Sequence, residues 1–256
     1  MSNALLMIHG IGCGGDVWDR MQPGFEAAGW RCEAPTLFPD QRTVDAPPPT
    51  LPDLGFDDYV DAMVDAARAL AKETGRKPAV IGHSMGGLIA QCLAERGEVS
   101  QAVFLTPAQP KDCAVVGLPV VYTFLNILLA RNRAKSYKVW RSGFRFGVVN
   151  QVPRRRHDEI YARARFDSGK VYGDIVDGIE IDASLITIPT LTIAASRDRA
   201  TLARAVRKVG EKYAKAAVPG DFFEYPDNAH WIVDEPGTDK VVEDIVAWLE
   251  QSGDAA

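Results

Sequence analysis

Cysteine is sparse and scattered. Cys13, Cys32, Cys92 and Cys113 are the only four in 256 residues, and no two make a C-x-x-C pair. Without a cysteine–histidine cluster a zinc framework is excluded, so no metal site is expected, and the thiols read as reduced groups of a cytoplasmic protein. Positive charge is not in excess: 29 Lys and Arg stand against 34 Asp and Glu, a net charge of −5, so no nucleic-acid partner is expected. The opening MSNALLMIHG lacks the basic segment and the length of a secretory leader. Internal repeats and low-complexity tails are missing as well. The longest apolar run, Ala114 to Ala130, is at the short limit for a membrane span and is interrupted by Pro119 and Asn126. No integral span is expected, although Arg131, Arg133 and Lys135 directly after the run leave transient contact with a membrane surface open. A buried or pocket-lining helix is the favoured reading of the run.

What is present is ordinary in amount and ordered in arrangement. The apolar share of 46% and charged share of 25% suit a globular protein long enough to bury a core without staples. Short apolar runs at Ala4–Ile8, Trp30–Ala34, Ala79–Ile81, Ala102–Thr106, Thr190–Ala195 and Asp221–Tyr225 have strand character. Between them lie helical patterns at Tyr59–Glu73, Ser84–Arg96, Ala200–Ala217 and Asp239–Gln251, with Gly75 placed to end the first. Such alternation predicts an α/β fold, a parallel sheet covered by helices on both faces. Two parts break it. Pro35–Gly55 holds six prolines and reads as a long ordered loop, and Pro107–Ile188 shows no clear strand and reads as an insertion.

The insertion divides the chain into a core, 1–106 and 189–256, and an inserted segment, 107–188. The residues with chemical potential lie mainly in the core. Gly82-His83-Ser84-Met85-Gly86 fits G-x-S-x-G, a weak signal alone, but it stands between a strand and a helix. There the glycines let the chain turn sharply and present the Ser84 hydroxyl; a plain helix N-cap is the blander reading. A serine needs a base, and the chain offers four histidines. His83 is too close in sequence to turn back, and His157, in RRRHDE, reads as part of a solvated charge cluster. His230 follows the last strand-like run, on the sheet edge where sites form. Asp198 follows the preceding strand and can orient that base, or cap the next helix, or both. Acyl transfer also needs amide donors for an oxyanion; Met85 N–H and, from His9-Gly10-Ile11-Gly12, Ile11 N–H are the candidates.

These residues resemble an α/β-hydrolase-fold serine hydrolase of the carboxylesterase and lipase-like branch, with HGIG at 9–12, GHSMGG at 82–87, Arg197-Asp198, and NAHW at 228–231. The resemblance implies Ser84 as nucleophile, Asp198 as acid, His230 as base, Ile11 and Met85 as oxyanion donors, and 107–188 as a helical cap over the site. The first strand stands almost at the N-terminus, so the two leading strands of the fold are missing and a sheet of about six strands is expected. The loop after the second strand reads PTLFPDQR in place of the family's D-x-R-G-x-G.

The expected activity is hydrolysis of carboxylic esters, or of a lactone or thioester, of a small or medium apolar substrate through an acyl-enzyme on Ser84, without a cofactor. Carbon–carbon bond hydrolysis or a lyase reaction with the same triad is the alternative, and a catalytically silent binding protein a remoter one. Leu118, Val121, Phe124, Leu125 and Leu128 are expected to wall an acyl or aromatic pocket. Phe124, Leu125 and Leu128, with Trp231 beside His230, are the candidate substrate-binding residues.

Overall fold

The computed structural model describes residues 3–253. Six strands form one parallel sheet: β1 (Ala4–Ile8), β2 (Arg31–Glu33), β3 (Ala79–His83), β4 (Gln101–Leu105), β7 (Thr190–Ala195) and β8 (Asp221–Tyr225), in the order β2-β1-β3-β4-β7-β8. Successive side chains of a strand point to opposite faces, and here both faces are buried. Leu5, Met7, Ile81, Val103 and Leu105 join one apolar cluster with Phe25, Ile245 and Trp248. Leu6, Ile8, Val80, Ala102 and Phe104 join the other with Tyr59, Met63, Leu88 and Val209. The helices behind these clusters are α1 (Gln22–Ala27) and α10 (Thr238–Gly253) on the first face, and α2 (Phe56–Thr74), α3 (Met85–Glu95) and α9 (Ala203–Tyr213) on the second.

Element ends differ from the sequence expectation where polar groups decide them. Helix α2 starts three residues earlier than predicted, because the Asp58 carboxylate accepts from Gly55 N–H at 2.7 Å and closes a cap there. Its end is as expected: Gly75 sits in the left-handed region at φ 79° and donates to Ala71 O. Helix α9 starts at Ala203 and not at Ala200, because the amides of Ala200 and Thr201 donate to Asp198 Oδ1 at 2.7 and 2.8 Å. Strand β4 stops at Leu105, since Thr106 turns to φ 40°.

The chain between β4 and β7 was expected to be strandless. It contains a two-residue antiparallel pair, β5 (Ser136–Tyr137) with β6 (Asp167–Ser168), among short helices α4 (Leu118–Thr123), α5 (Leu125–Ala130), α6 (Arg141–Gly143), α7 (His157–Ala162) and α8 (Gly169–Asp177). The apolar run is two helices, not one. The Thr123 hydroxyl bonds back to Pro119 O at 2.8 Å, a bond that bends helices. Asn126 is drawn aside, its Nδ2 donating to Lys138 O at 2.9 Å. Among the described residues no helix is long and apolar enough to cross a membrane.

Candidate active site

Ser84 stands between β3 and α3 at φ 56° and ψ −120°. A non-glycine residue held there stores backbone strain that its surroundings must sustain, and two glycines make that possible. A Cβ on Gly82 would lie 2.0 Å from Gly86 O, and one on Gly86 would lie 2.1 Å from Ile8 O. The turn therefore packs backbone on backbone, with Ser84 at its apex and no side-chain cap bond from its hydroxyl to α3.

The loops after β7 and β8 bring Asp198 and His230 to the same sheet edge. Ser84 Oγ lies 3.0 Å from His230 Nε2, and His230 Nδ1 lies 2.8 Å from Asp198 Oδ2. All three are buried, with Ser84 at 8% exposure the most open. A carboxylate only accepts, so Nδ1 of His230 carries the proton and Nε2 offers its lone pair to the serine hydroxyl. The Asp198 carboxylate is saturated: Oδ1 takes two amides, and the Thr201 hydroxyl lies 2.8 Å from Oδ2 and 3.0 Å from Thr106 O. Asp198 does not cap the next helix, whose N-cap is Leu202; its Oδ1 holds the turn before that helix while Oδ2 meets the His230 ring. Such an arrangement can withdraw a proton from a hydroxyl and hold the resulting imidazolium.

Ile11 and Met85 line a cavity together with Ser84. Among the described residues neither of their amides donates to a protein acceptor. The cavity has a volume of about 730 Å³, and Phe124, Leu125 and Leu128 line it, with Val120, Val121 and Tyr172. Leu118, expected on this wall, is instead 85% exposed. Trp231 does not line this cavity: with Phe144 and His230 it lines a compartment of about 20 Å³ that shares Ile11, Ser84 and Phe124 with the large one.

Several residues that matter here carried no signal in the sequence. His83 donates from Nε2 to the backbone O of His230 at 2.8 Å and so braces the loop that carries His230. Burial first, then the charge His230 would carry, pushes its pKa down to about 3, so it stays neutral beside the site. His157 is not a solvated residue, as expected from RRRHDE, but a buried one that donates to Val152 O at 2.8 Å. Of the arginines beside it, Arg156 pairs with Asp234 at 2.5 Å; in the earlier basic cluster Arg133 pairs with Asp174 at 3.1 Å and with Asp177. Asp227, three residues before His230, pairs with Arg197 at 2.6 Å.

A sequence model of the alpha/beta hydrolase family matches residues 5–243. The chain belongs to the alpha/beta hydrolase family. Esterase PIR7B of Oryza sativa subsp. japonica is 32% identical over 117 residues, 44% of this chain and 42% of that protein. Probable esterase PIR7A of Oryza sativa subsp. indica is 32% identical over 108 residues, 41% of this chain and 39% of that protein. The matches thus span about two fifths of the length of these relatives. Among solved structures, the methylesterase MES16 from Arabidopsis superposes with a TM-score of 0.71 over 99% of this chain and 100% of its own, at 15% identity. Tomato methylketone synthase I, solved with 2-tridecanone, superposes with a TM-score of 0.72 over 98% and 99%, also at 15% identity. At that identity these structures speak for the fold. The alpha/beta hydrolase sheet is present here as six parallel strands flanked by helices.

Proposed function

We propose that this alpha/beta hydrolase is a carboxylic ester hydrolase acting through Ser84, with His230 as base and Asp198 as its orienting acid. The observation that carries the proposal is the hydrogen-bonded chain from Ser84 Oγ through the His230 ring to Asp198, at 3.0 and 2.8 Å, opening on a large apolar cavity. His230 Nε2 takes the serine proton as Oγ attacks the ester carbonyl. The tetrahedral oxyanion is held by the Ile11 and Met85 amides, the second at the N-terminus of α3. Collapse expels the alcohol, which takes the proton back from His230, and leaves an acyl-enzyme. Water, deprotonated by the same nitrogen, then releases the acid.

Residues 107–188 act as a cap that selects the substrate. The wall of Phe124, Leu125 and Leu128 accepts an aliphatic or aromatic acyl group, while Trp231 bounds the small compartment beside His230. The apolar content of the wall supports this reading, as do esterases among the sequence relatives. Val116, Leu129 and Val176 are exposed at the rim of the large cavity, with Leu118 on α4 beside it. That rim suits transient contact with a lipid surface, which vesicle flotation would detect. A p-nitrophenyl ester panel of increasing acyl length, with fluorophosphonate labelling, tests the proposal. Turnover and labelling are expected for the wild type and neither for Ser84→Ala; labelling that survives in Ser84→Ala sinks it.

A further inference from the structure

The loop that carries the Ile11 amide has one backbone turn bond of its own, from Cys13 N to Gly10 O at 3.3 Å, and is otherwise held from outside. Gly12 sits at φ 73°, and its N–H donates to a carboxylate 155 residues away, Asp167 on β6. Asp167 is 0% exposed and its two oxygens are filled. Oδ1 accepts from Arg42 Nε at 2.5 Å and from the Tyr59 hydroxyl at 2.8 Å; Oδ2 accepts from Arg42 Nη2 at 2.9 Å and from Gly12. Arg42, equally buried, comes from the proline-rich loop and spends its remaining donors around the same turn. Nη2 reaches Cys13 O at 2.9 Å, and Nη1 reaches Leu37 O at 3.1 Å and His9 Nε2 at 3.2 Å. A guanidinium has five N–H donors, and here each one has an acceptor. His9 is fixed in turn: Nδ1–H donates to Gly10 O at 2.8 Å, so Nε2 must accept. The next residues of the insertion complete the clasp, with Arg165 N donating to Gly12 O at 2.8 Å and Phe166 N to Thr43 O at 2.9 Å.

Stability does not explain the pair. Removing two charges from water costs about as much as their attraction returns, and buried ion pairs are often replaced by apolar residues without loss. What a fork-shaped, fully used pair does supply is direction. We infer that Arg42 and Asp167 are positioning residues that set the Ile11 amide for the oxyanion, a role that rests on the reading of Ile11 as an oxyanion donor. The two act as a neutral unit. Asp167 alone would put a bare negative charge one residue from the place where the oxyanion forms, and Arg42 cancels it.

The test compares Arg42→Met with the double variant Arg42→Met/Asp167→Leu on p-nitrophenyl butyrate, measured well below Tm. Arg42→Met is expected to lose both stability and turnover, because it buries an unpaired carboxylate. The double variant is expected to regain only part of that stability, since the buried groups bonded to the pair are left without partners, while kcat stays about a hundredfold down with KM unchanged. A purely structural pair would let kcat return with stability, and a kcat within about threefold of wild type overturns the inference. So does a raised KM with kcat intact, which would make the pair a substrate contact. Should the double variant show no cooperative unfolding, Arg42→Lys decides. It keeps the charge but not the fork, so kcat should fall about tenfold at constant KM, and wild-type kcat overturns the inference. A wild type that no fluorophosphonate labels fails earlier, at Ser84, and takes this role with it.

Discussion

The sheet is held by buried apolar layers, whereas the chain between β4 and β7, which also buries Phe144, Val149 and Ile160 against them, adds many single directional bonds. In β1, β3, β4 and β7 every residue is buried, and alternate side chains feed two apolar clusters. Burial of apolar area is non-directional, so it fixes the layers without prescribing a particular loop geometry. The connection between β4 and β7 has short helices and one two-residue strand pair, and much of its shape comes from single polar contacts. Asn126 ties α5 to Lys138, the Trp140 indole N–H donates to Tyr122 O at 3.0 Å, and the Tyr161 hydroxyl donates to Val139 O at 3.0 Å. Hydrogen bonds are directional, and each can be broken singly. The hydrolytic residues we propose stand on the layered half, the substrate wall on the bonded half, and the Arg42–Asp167 pair joins the two.

If the layered half carries the chemistry, the largest losses lie there. Ser84→Ala should lower kcat by about 10⁶-fold, and Asp198→Asn by about 10⁴-fold through the wrong histidine tautomer, with unfolding midpoints close to wild type. Steady-state kinetics beside thermal melts would check both. A Ser84→Ala variant retaining more than about a hundredth of wild-type turnover would move the chemistry elsewhere.

The same contrast governs what could be read from the sequence. The alternation of Leu5 and Met7 with Ala4, Leu6 and Ile8 is local, so the strands and their two-sided burial were legible. Strand ends in a parallel sheet converge, so Ser84, Asp198 and His230 could be grouped from their order alone. The polar half was not legible in that way. Asp167 lies 125 residues from Arg42, and nothing near either names the other. His157 looked solvated because its neighbours are charged, yet its ring turns inward to a backbone carbonyl. The break at Phe124 goes with Thr123 bonding back to Pro119 and with Asn126 reaching Lys138, contacts that no apolar periodicity encodes.

One buried acid tests how far the layered half tolerates a polar group. Glu235, on the loop after His230, accepts from Ala229 N–H at 2.5 Å. Burial pushes its pKa up to about 7; the bond from Ala229 works against that shift, and the Asp198 charge adds to it. The folded chain therefore holds this proton more tightly than the unfolded chain, whose carboxyl has the ordinary value of 4.5. Below that value both states are protonated and nothing is lost. As pH rises towards about 7 the unfolded chain ionises first, and stability falls by up to about 3 kcal/mol from this group. Urea unfolding of Glu235→Gln at pH 4 and pH 8 should show that share of the fall removed. Equal slopes for variant and wild type would refute the assignment.

On the bonded half, the wall of the large cavity should respond through selectivity. Leu128→Ala and Phe124→Ala are expected to lower kcat/KM for a p-nitrophenyl octanoate by about tenfold each, and for the acetate by less than about twofold. Loss of equal size on both esters would mean that the acyl group lies elsewhere.

The smallest effect separates a bond that directs from one that decorates. Asp158, on α7 of the same inserted segment, pairs with Arg141 at 2.8 Å and with Arg145, and all three side chains are about half exposed. The two arginines hold its carboxyl below the usual carboxylate range, Arg145 most strongly. Water and salt screen such pairs, so Asp158→Asn should lower Tm by less than about 2 °C, and the difference should vanish in 1 M salt, where the Debye length is about 3 Å. The chemistry matches that of Arg42 and Asp167, but the setting differs: one pair is open to solvent and touches no loop of the site, the other is fully enclosed against Gly12 and Cys13. If turnover falls in Asp158→Asn as it is expected to fall in the enclosed pair, burial and position are not what make an ion pair count in this segment.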